Sequence, residues 1–186
     1  MTTPAAALQQ LMAGVAKQFT APGKNGVHMS GPGEDGLLKL LDNLVNSRVL
    51  VGIPEDKSDR KDGAEVNNAA RLYIHEHGEM TAGIPARPTV MPGIADAQRK
   101  IAQVMRNIAK KGLSVGASAS DYRAGLETVG QIGRDAIKKR INSNTPPPLA
   151  ARTLQDRRKR GKMSTKTLVD EGEMRNAITY VVEKRP

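Results

Sequence analysis

Residues 83–94, Gly-Ile-Pro-Ala-Arg-Pro-Thr-Val-Met-Pro-Gly-Ile, set three prolines between two stretches of helical periodicity. Each proline fixes its own φ and pushes the residue before it out of the helical region. Residues 84–88 are therefore expected to be extended and stiff. A corner of this kind is read as a rigid bracket: it sets the angle between the helices on its two sides and holds the second against whatever sheet the chain builds.

On the N-terminal side, Thr3-Pro4 reads as an N-cap with proline at the first helical position. Leu8, Leu11, Met12, Val15 and Phe19 follow at helical spacing. Residues 21–36 are rich in glycine and proline and read as a flexible linker, which makes residues 1–34 an arm. Asp35 can cap a helix over 36–46 carrying Leu37, Leu38, Leu40, Leu41, Leu44 and Val45. Arg48–Ile53 reads as a strand stopped by Pro54. It is apolar on both faces, which points to a central strand or one covered twice. After a polar loop at 55–62, Asp62 and Glu65 have capping-box spacing for a helix over 64–77, and Gly78 sits where a helix ends. The expected buried stripe of that helix is Val66, Ala70 and Tyr73, extended by His77.

Beyond the corner, Ile94, Ile101, Val104, Met105 and Ile108 share one face of a helix over about 92–111. A second long helix runs from Ser118 to about 142, with the stripe Tyr122, Leu126, Val129, Ala136, Ile137 and Ile141. Gly125, Gly130 and Gly133 inside it each cost about 1 kcal/mol against alanine, so they mark close backbone approach or a bend. Residues 143–166 read as a long irregular segment. The end of the chain reads as a turn at Gly172, a short helix at 173–177 and a strand at 178–183 that can pair with 48–53. Residues 35–186 are thus one domain, and no internal repeat is found.

Composition narrows the classes. The chain is 38% hydrophobic, and its aromatic residues are Phe19, Tyr73, Tyr122 and Tyr180, so the core is aliphatic and modest. With no cysteine there is no disulfide framework and no cysteine-based zinc site, in keeping with synthesis in a reducing cytosol. No apolar run approaches the roughly 18 residues of a membrane span, and the first residues lack the basic region of a signal peptide. The net charge is +10 and it is concentrated: residues 134–166 hold eleven Lys/Arg and two acids, Asp135 and Asp156.

Candidate chemistry is sparse. His75 and His77 look like a metal pair, but they point about 200° apart on a helix, whereas a helical zinc site needs i and i+4. His28 is the remaining histidine, in the linker. Asp121, Asp135, Asp170 and Glu173 read as helix-start or solvent-face carboxylates. No nucleophile-elbow, phosphate-loop or dinucleotide glycine pattern appears, so an enzyme is not expected. The run Arg157, Arg158, Lys159, Arg160, Gly161, Lys162 reads either as contact with nucleic-acid phosphates, or as a solvated loop or one that orders on an acidic protein surface. It has no interleaved aromatics to stack on bases.

Four pieces occur in order: Ala69-Ala-Arg-Leu-Tyr-Ile-His-Glu-His-Gly78, Ile84-Pro-Ala-Arg-Pro88, Pro148-Leu-Ala-Ala-Arg-Thr-Leu-Gln-Asp-Arg-Arg-Lys-Arg-Gly161 and Leu168-Val-Asp-Glu-Gly-Glu-Met-Arg-Asn-Ala-Ile-Thr-Tyr-Val-Val182. Together, over roughly residues 48–184, they resemble the tail-completion family of long-tailed bacteriophages, also called head–tail joining, virion-morphogenesis or minor tail proteins. Thr89 stands where that family has Phe, and Glu171 where it has Thr. The resemblance implies an α+β fold, a small antiparallel sheet packed against long helices; the extended N-terminal arm, residues 1–34, which has no counterpart in that family, and the long basic loop are read from the residues themselves. It implies no catalysis, no cofactor and no metal. It implies a structural virion protein made in the host cytoplasm: a homo-oligomeric ring of hexamer-type symmetry at the neck, between a tail terminator or tail tube protein and a head connector or stopper protein, near packaged DNA and away from membranes.

On this reading Arg87, Pro88, Arg152, Met174 and Arg175 contact neighbouring subunits or neck proteins. Arg157, Arg158, Lys159, Arg160 and Lys162 face DNA in the lumen or an acidic surface. Arg87 has two options, an acid on a neighbour or a surface contact within its own chain. The rival classes are a nucleic-acid-binding module gripping DNA through residues 134–166, and a metal hydrolase using His75 and His77.

Overall fold

The computed structural model describes residues 42, 46–60, 63–112 and 119–184. The expected N-terminal helix and linker, most of the 36–46 helix and the Asp62 cap lie outside the described residues. The elements are β1 (Ser47–Gly52), a 3-10 turn (Glu55–Lys57), α1 (Asn68–His77), α2 (Val90–Gly112), α3 (Ala119–Asn142), α4 (Ala151–Lys159), α5 (Glu173–Ala177) and β2 (Thr179–Lys184). The fold is α+β. β1 and β2 form an antiparallel pair in the register Ser47–Lys184 to Gly52–Thr179. None of the helices among the described residues is long and apolar enough to cross a membrane.

α2 and α3 lie antiparallel. The start of α2 meets the end of α3 where Gly93 faces the Ile137 backbone, and the other end closes where Ile108 faces Gly125. The helical glycines are close-approach positions. A side chain at Gly130 would collide with the Tyr180 ring, and one at Gly133 would press on Val51 and Ile94. The helix thus gives up propensity to seat the sheet directly on its backbone.

The core has two centres along α3. One joins Leu72, Ile137, Ile141, Leu168, Met174 and Ile178, with Val51, Ile53, Val90 and Ile94 packed around it. The other joins Ile108, Tyr122, Leu126 and Val129, flanked by Val49, Ile101, Val104, Met105 and Val182. β1 contributes Val51 to the first centre and Val49 to the second, and β2 contributes Val182 to the second, so the sheet is tied to α3 at both.

Three expectations are corrected. β1 is not covered twice among the described residues: the cross-strand partners Leu50 and Val181 are 47% and 40% exposed on the outer face. α1 starts at Asn68, not at 64, because Asn67 caps it by accepting from the Ala70 N–H at 2.9 Å. Its burial is rotated as well. The Asn68 N–H donates to the Ser58 carbonyl at 2.7 Å, and its side-chain amide to the Asp59 carbonyl. This anchors the first turn so that Leu72 enters the core and Tyr73 stays 66% exposed. Finally, the segment 143–166 contains a helix, α4. Ala151, Leu154 and Gln155 are good helix formers, but α4 carries no apolar stripe that periodicity could reveal.

Candidate functional site

The proline corner is held from α1. Residues 85–89 form neither helix nor strand after the Glu79–Ile84 bridge, and α2 starts at Val90. The first N–H groups of a helix have no partner within it. Here the Glu76 carboxylate accepts from the Thr89 N–H at 2.6 Å, from Val90 at 2.9 Å and from Met91 at 2.9 Å. A negative group at that end is also favoured by the helix dipole. Glu76 therefore caps α2 from another helix. The Arg87 N–H donates to the His75 carbonyl at 2.6 Å, and Gly78 packs against the Ala86 backbone too closely for any Cβ. The corner is thus tied to α1 by these bonds, in addition to the constraint its prolines impose.

Arg87 is 6% exposed. Its Nε donates to the Pro147 carbonyl at 2.8 Å and its Nη2 to the Pro148 carbonyl at 3.0 Å. Burial pushes the guanidinium below its ordinary value, and no carboxylate offsets this among the described residues. Of the two options weighed for Arg87, the contact is within its own chain, but it is a buried clasp and not a surface one. Beside it, His75 is pushed down to about 4, first by burial and then by the charges of Arg71 and Arg87. It is neutral at pH 7, and its buried Nδ1 lacks a hydrogen-bond partner among the described residues.

The segment that Arg87 grips leads into the basic run. Thr145 donates to the Arg140 carbonyl, Thr167 Oγ1 to the Thr145 carbonyl at 3.0 Å, and the Thr167 N–H to the Asn144 side chain at 2.9 Å. These bonds bring both ends of the segment together at the end of α3. Arg157, on α4, is 5% exposed; its Nη1 donates to the Ser164 and Lys166 carbonyls at 3.1 and 2.7 Å. Asp170 lies 3.7 Å from Arg157, and 3.1 Å from both Arg160 and Lys162. Lys162 also pairs with Glu171 at 2.6 Å. Burial alone would push the Asp170 carboxyl up; Lys162 and Arg160 outweigh it and hold the group below its ordinary value.

The basic candidates therefore divide. Arg157 is internal, contrary to the reading that it faces DNA or a partner: a guanidinium has five donors, and burial is tolerable only because carbonyls accept them. Arg160 and Lys162 are engaged by Asp170 and Glu171. Arg158 and Lys159 are exposed, as is Arg152 on the same helix. Of the residues assigned to subunit contact, Pro88 is exposed and Arg175 is partly exposed, donating to Asn142 at 3.1 Å. Met174 is 4% exposed and belongs to the first core centre, so that assignment is corrected too.

Sequence reading missed the roles of Glu76 and Glu171, and it took Asp170 for a helix-start or solvent-face carboxylate where it meets three basic side chains. Glu76 drew notice only as the middle of a histidine pair, and nothing local marks a cap that acts 13 to 15 positions later. Among the described residues no group of three or more His, Asp or Glu is placed to hold a metal. Comparison with family models, with curated proteins and with solved structures returned no match to this chain.

Proposed function

We propose that this chain is a structural protein of a tailed bacteriophage virion, present as a ring at the head–tail joint, where it completes the tail and joins it to the head connector. The observation that carries the reading is the convergence of four motifs widely spaced in sequence. Glu76 of the first caps the helix that begins after the second. Arg87 of the second clasps Pro148, which opens the third, and Pro147 just before it. Arg157 and Arg160 of the third hold Asp170 of the fourth. Residues behind the family resemblance thus tie the fold together, which supports the reading. The chain also has an outer sheet face with an exposed apolar pair, and a ring neighbour can cover such a face.

Electron microscopy of a lysate from phage carrying an early stop in this gene tests the reading. DNA-filled heads lying beside unattached tails are expected. Normal particles, or empty heads with no tail defect, overturn it. Charge reversal then asks what the basic helix faces, and it must use Arg152, Arg158 and Lys159, because reversing Arg157 or Arg160 breaks internal contacts. Loss of tail attachment marks a protein contact; attached tails with altered DNA retention mark DNA.

A further inference from the structure

Much of the charge in the basic run is met inside the fold: Asp170 and Glu171 engage Arg160 and Lys162, and Arg157 is buried. A second set of cations is not met in this way. Arg134, Lys138 and Asn142 recur every four residues and share one face of α3. Arg175, from α5, closes the row; its Nη1 donates to Asn142 Oδ1 at 3.1 Å and its Nη2 to Asn176 Oδ1 at 3.2 Å. Lys57, on the 3-10 turn, is near enough to act on Lys138. Four cations from three elements far apart in sequence thus converge on one surface, all of them exposed or half-buried. Their holders are mostly neutral. Two asparagine amides hold Arg175, and the Arg134 guanidinium lies over the Tyr180 ring, 5.9 Å from its centroid. Asp135 accepts from the Arg134 Nε at 2.8 Å and leaves both Nη groups without an acceptor among the described residues. Among those residues no carboxylate comes within ion-pair distance of Lys57, Lys138 or Arg175. Burial first, and then the charges of Arg134, Arg175 and Lys57, push the Lys138 ammonium below its ordinary value. Of the nearby acids, which include Glu55 and Asp56 on the turn of Lys57, Asp135 is the one that pulls the other way. Like charges held together destabilise one another, and an anion bound among them relieves this.

We infer that the row Arg134, Lys138, Arg175, with Lys57 beside it, is a binding site for the phosphodiester backbone of a nucleic acid, gripped without regard to base sequence. The span decides against a single small anion. From Arg134 to Asn142 α3 rises about 12 Å. One strand of a duplex offers a phosphate about every 3.4 Å of axis, so roughly three or four phosphates lie along the row. Phosphate oxygens also take guanidinium donors in pairs, and Arg134 has two Nη groups to offer. Base stacking is not on offer: Tyr180, the aromatic beside the row, packs on Gly130 and lies under Arg134. Contacts to the backbone position a duplex but carry no sequence information. The inference does not depend on the assembly role proposed above.

Binding of the full chain to a short labelled DNA duplex of arbitrary sequence, followed by anisotropy across a salt series, tests it. The unaltered protein is expected to bind at low salt, with affinity falling steeply as salt rises. Lys138→Gln with Arg175→Gln is expected to weaken binding about tenfold and to lower the slope of log affinity against log salt by about two. Glutamine suits a helix at 138 and keeps an amide donor for Asn142 at 175, and urea unfolding checks that the variant is folded. Lys57→Gln with Lys138→Gln, which breaks no bond among the described residues, is a second pair with the same expectation. Lys138→Arg keeps the charge and is expected to bind as the unaltered protein does. The control pair Arg158→Gln with Lys159→Gln removes the same charge from α4 and is expected to change binding little. Unaltered affinity in both row variants, or an equal loss in the α4 pair, overturns the inference. So does displacement of the duplex by inorganic phosphate beyond the effect of chloride at equal ionic strength, which marks a site for a lone anion. Displacement by poly-glutamate as readily as by unlabelled duplex overturns it too, and marks an acidic protein surface as the ligand.

Discussion

Arg87 and Arg157 are the same side chain under nearly the same burial, 6% and 5% exposed, and each donates to two backbone carbonyls of a segment that would otherwise be loose. They differ in what balances the charge. Arg157 has Asp170 at 3.7 Å, backed by Arg160 and Lys162. Arg87 has proline carbonyls and a neutral histidine beside it. One junction thus rests on a titratable acid, the other on dipoles that do not titrate. A buried cation can be satisfied either way, since what burial forbids is an unmet donor. The two solutions should respond differently to mutation and to pH.

The largest effect is expected at the dipole-held junction. Arg87→Leu leaves the Pro147 and Pro148 carbonyls without their donor and frees the entry to the basic segment, at a cost of about 3 kcal/mol. Urea unfolding measures it, and a loss below about 1 kcal/mol would show that the clasp is dispensable.

Next in size is the acid response of the same corner. His75 has a folded value of about 4, below the ordinary 6.5, so the unfolded chain takes up its proton first as pH falls. Its contribution is complete above pH 6.5, is lost between 6.5 and about 4, and does not change further below that. The loss is on the order of 2 kcal/mol, allowing for partial exposure. His75→Gln is expected to flatten stability across this window. An unchanged slope in the variant would remove His75 from the comparison.

The smallest of the three belongs to the acid-held junction. The Asp170 carboxyl is depressed in the fold, so its contribution is present above its ordinary value and is lost as pH falls below about 3.9 toward the folded value. Asp170→Asn is expected to cost about 1–2 kcal/mol at pH 7, because the carboxylate is partly open to solvent, and to remove the acid response in that lower window only. If the two variants alter the same window, the junctions are not electrostatically independent.

Much of the fold was legible along the chain. The stripes of α2 and α3 have the helical period and are the buried faces. Gly125, Gly130 and Gly133 break the propensity of α3 at the places where Ile108, Tyr180 and Val51 press on it. The pairing of the two strands was readable from alternation and from their stops. The site was less legible. Pattern identified the corner, but not that Glu76 caps the helix beyond it. The count of positive charges between 134 and 166 was correct, yet it implied a free basic surface, because the acids that engage Arg160 and Lys162 lie just past its end, at Asp170 and Glu171. α1 shows the sharpest reversal. Its period was read correctly and its orientation was not, since a stripe says which residues share a face and not which face is inward.

The local and the periodic were therefore written in the amino-acid order: the extents of α2 and α3, strand stops, the proline corner and the close-approach glycines, all governed by sterics and hydrophobic spacing over a few residues. Only the tertiary structure decided the pairings across long separations. Arg87 reaches Pro147 across 60 positions, and Thr167 reaches Thr145 across 22. Such bonds depend on which donors and acceptors burial leaves unmet once the helices have packed, and no local pattern encodes that.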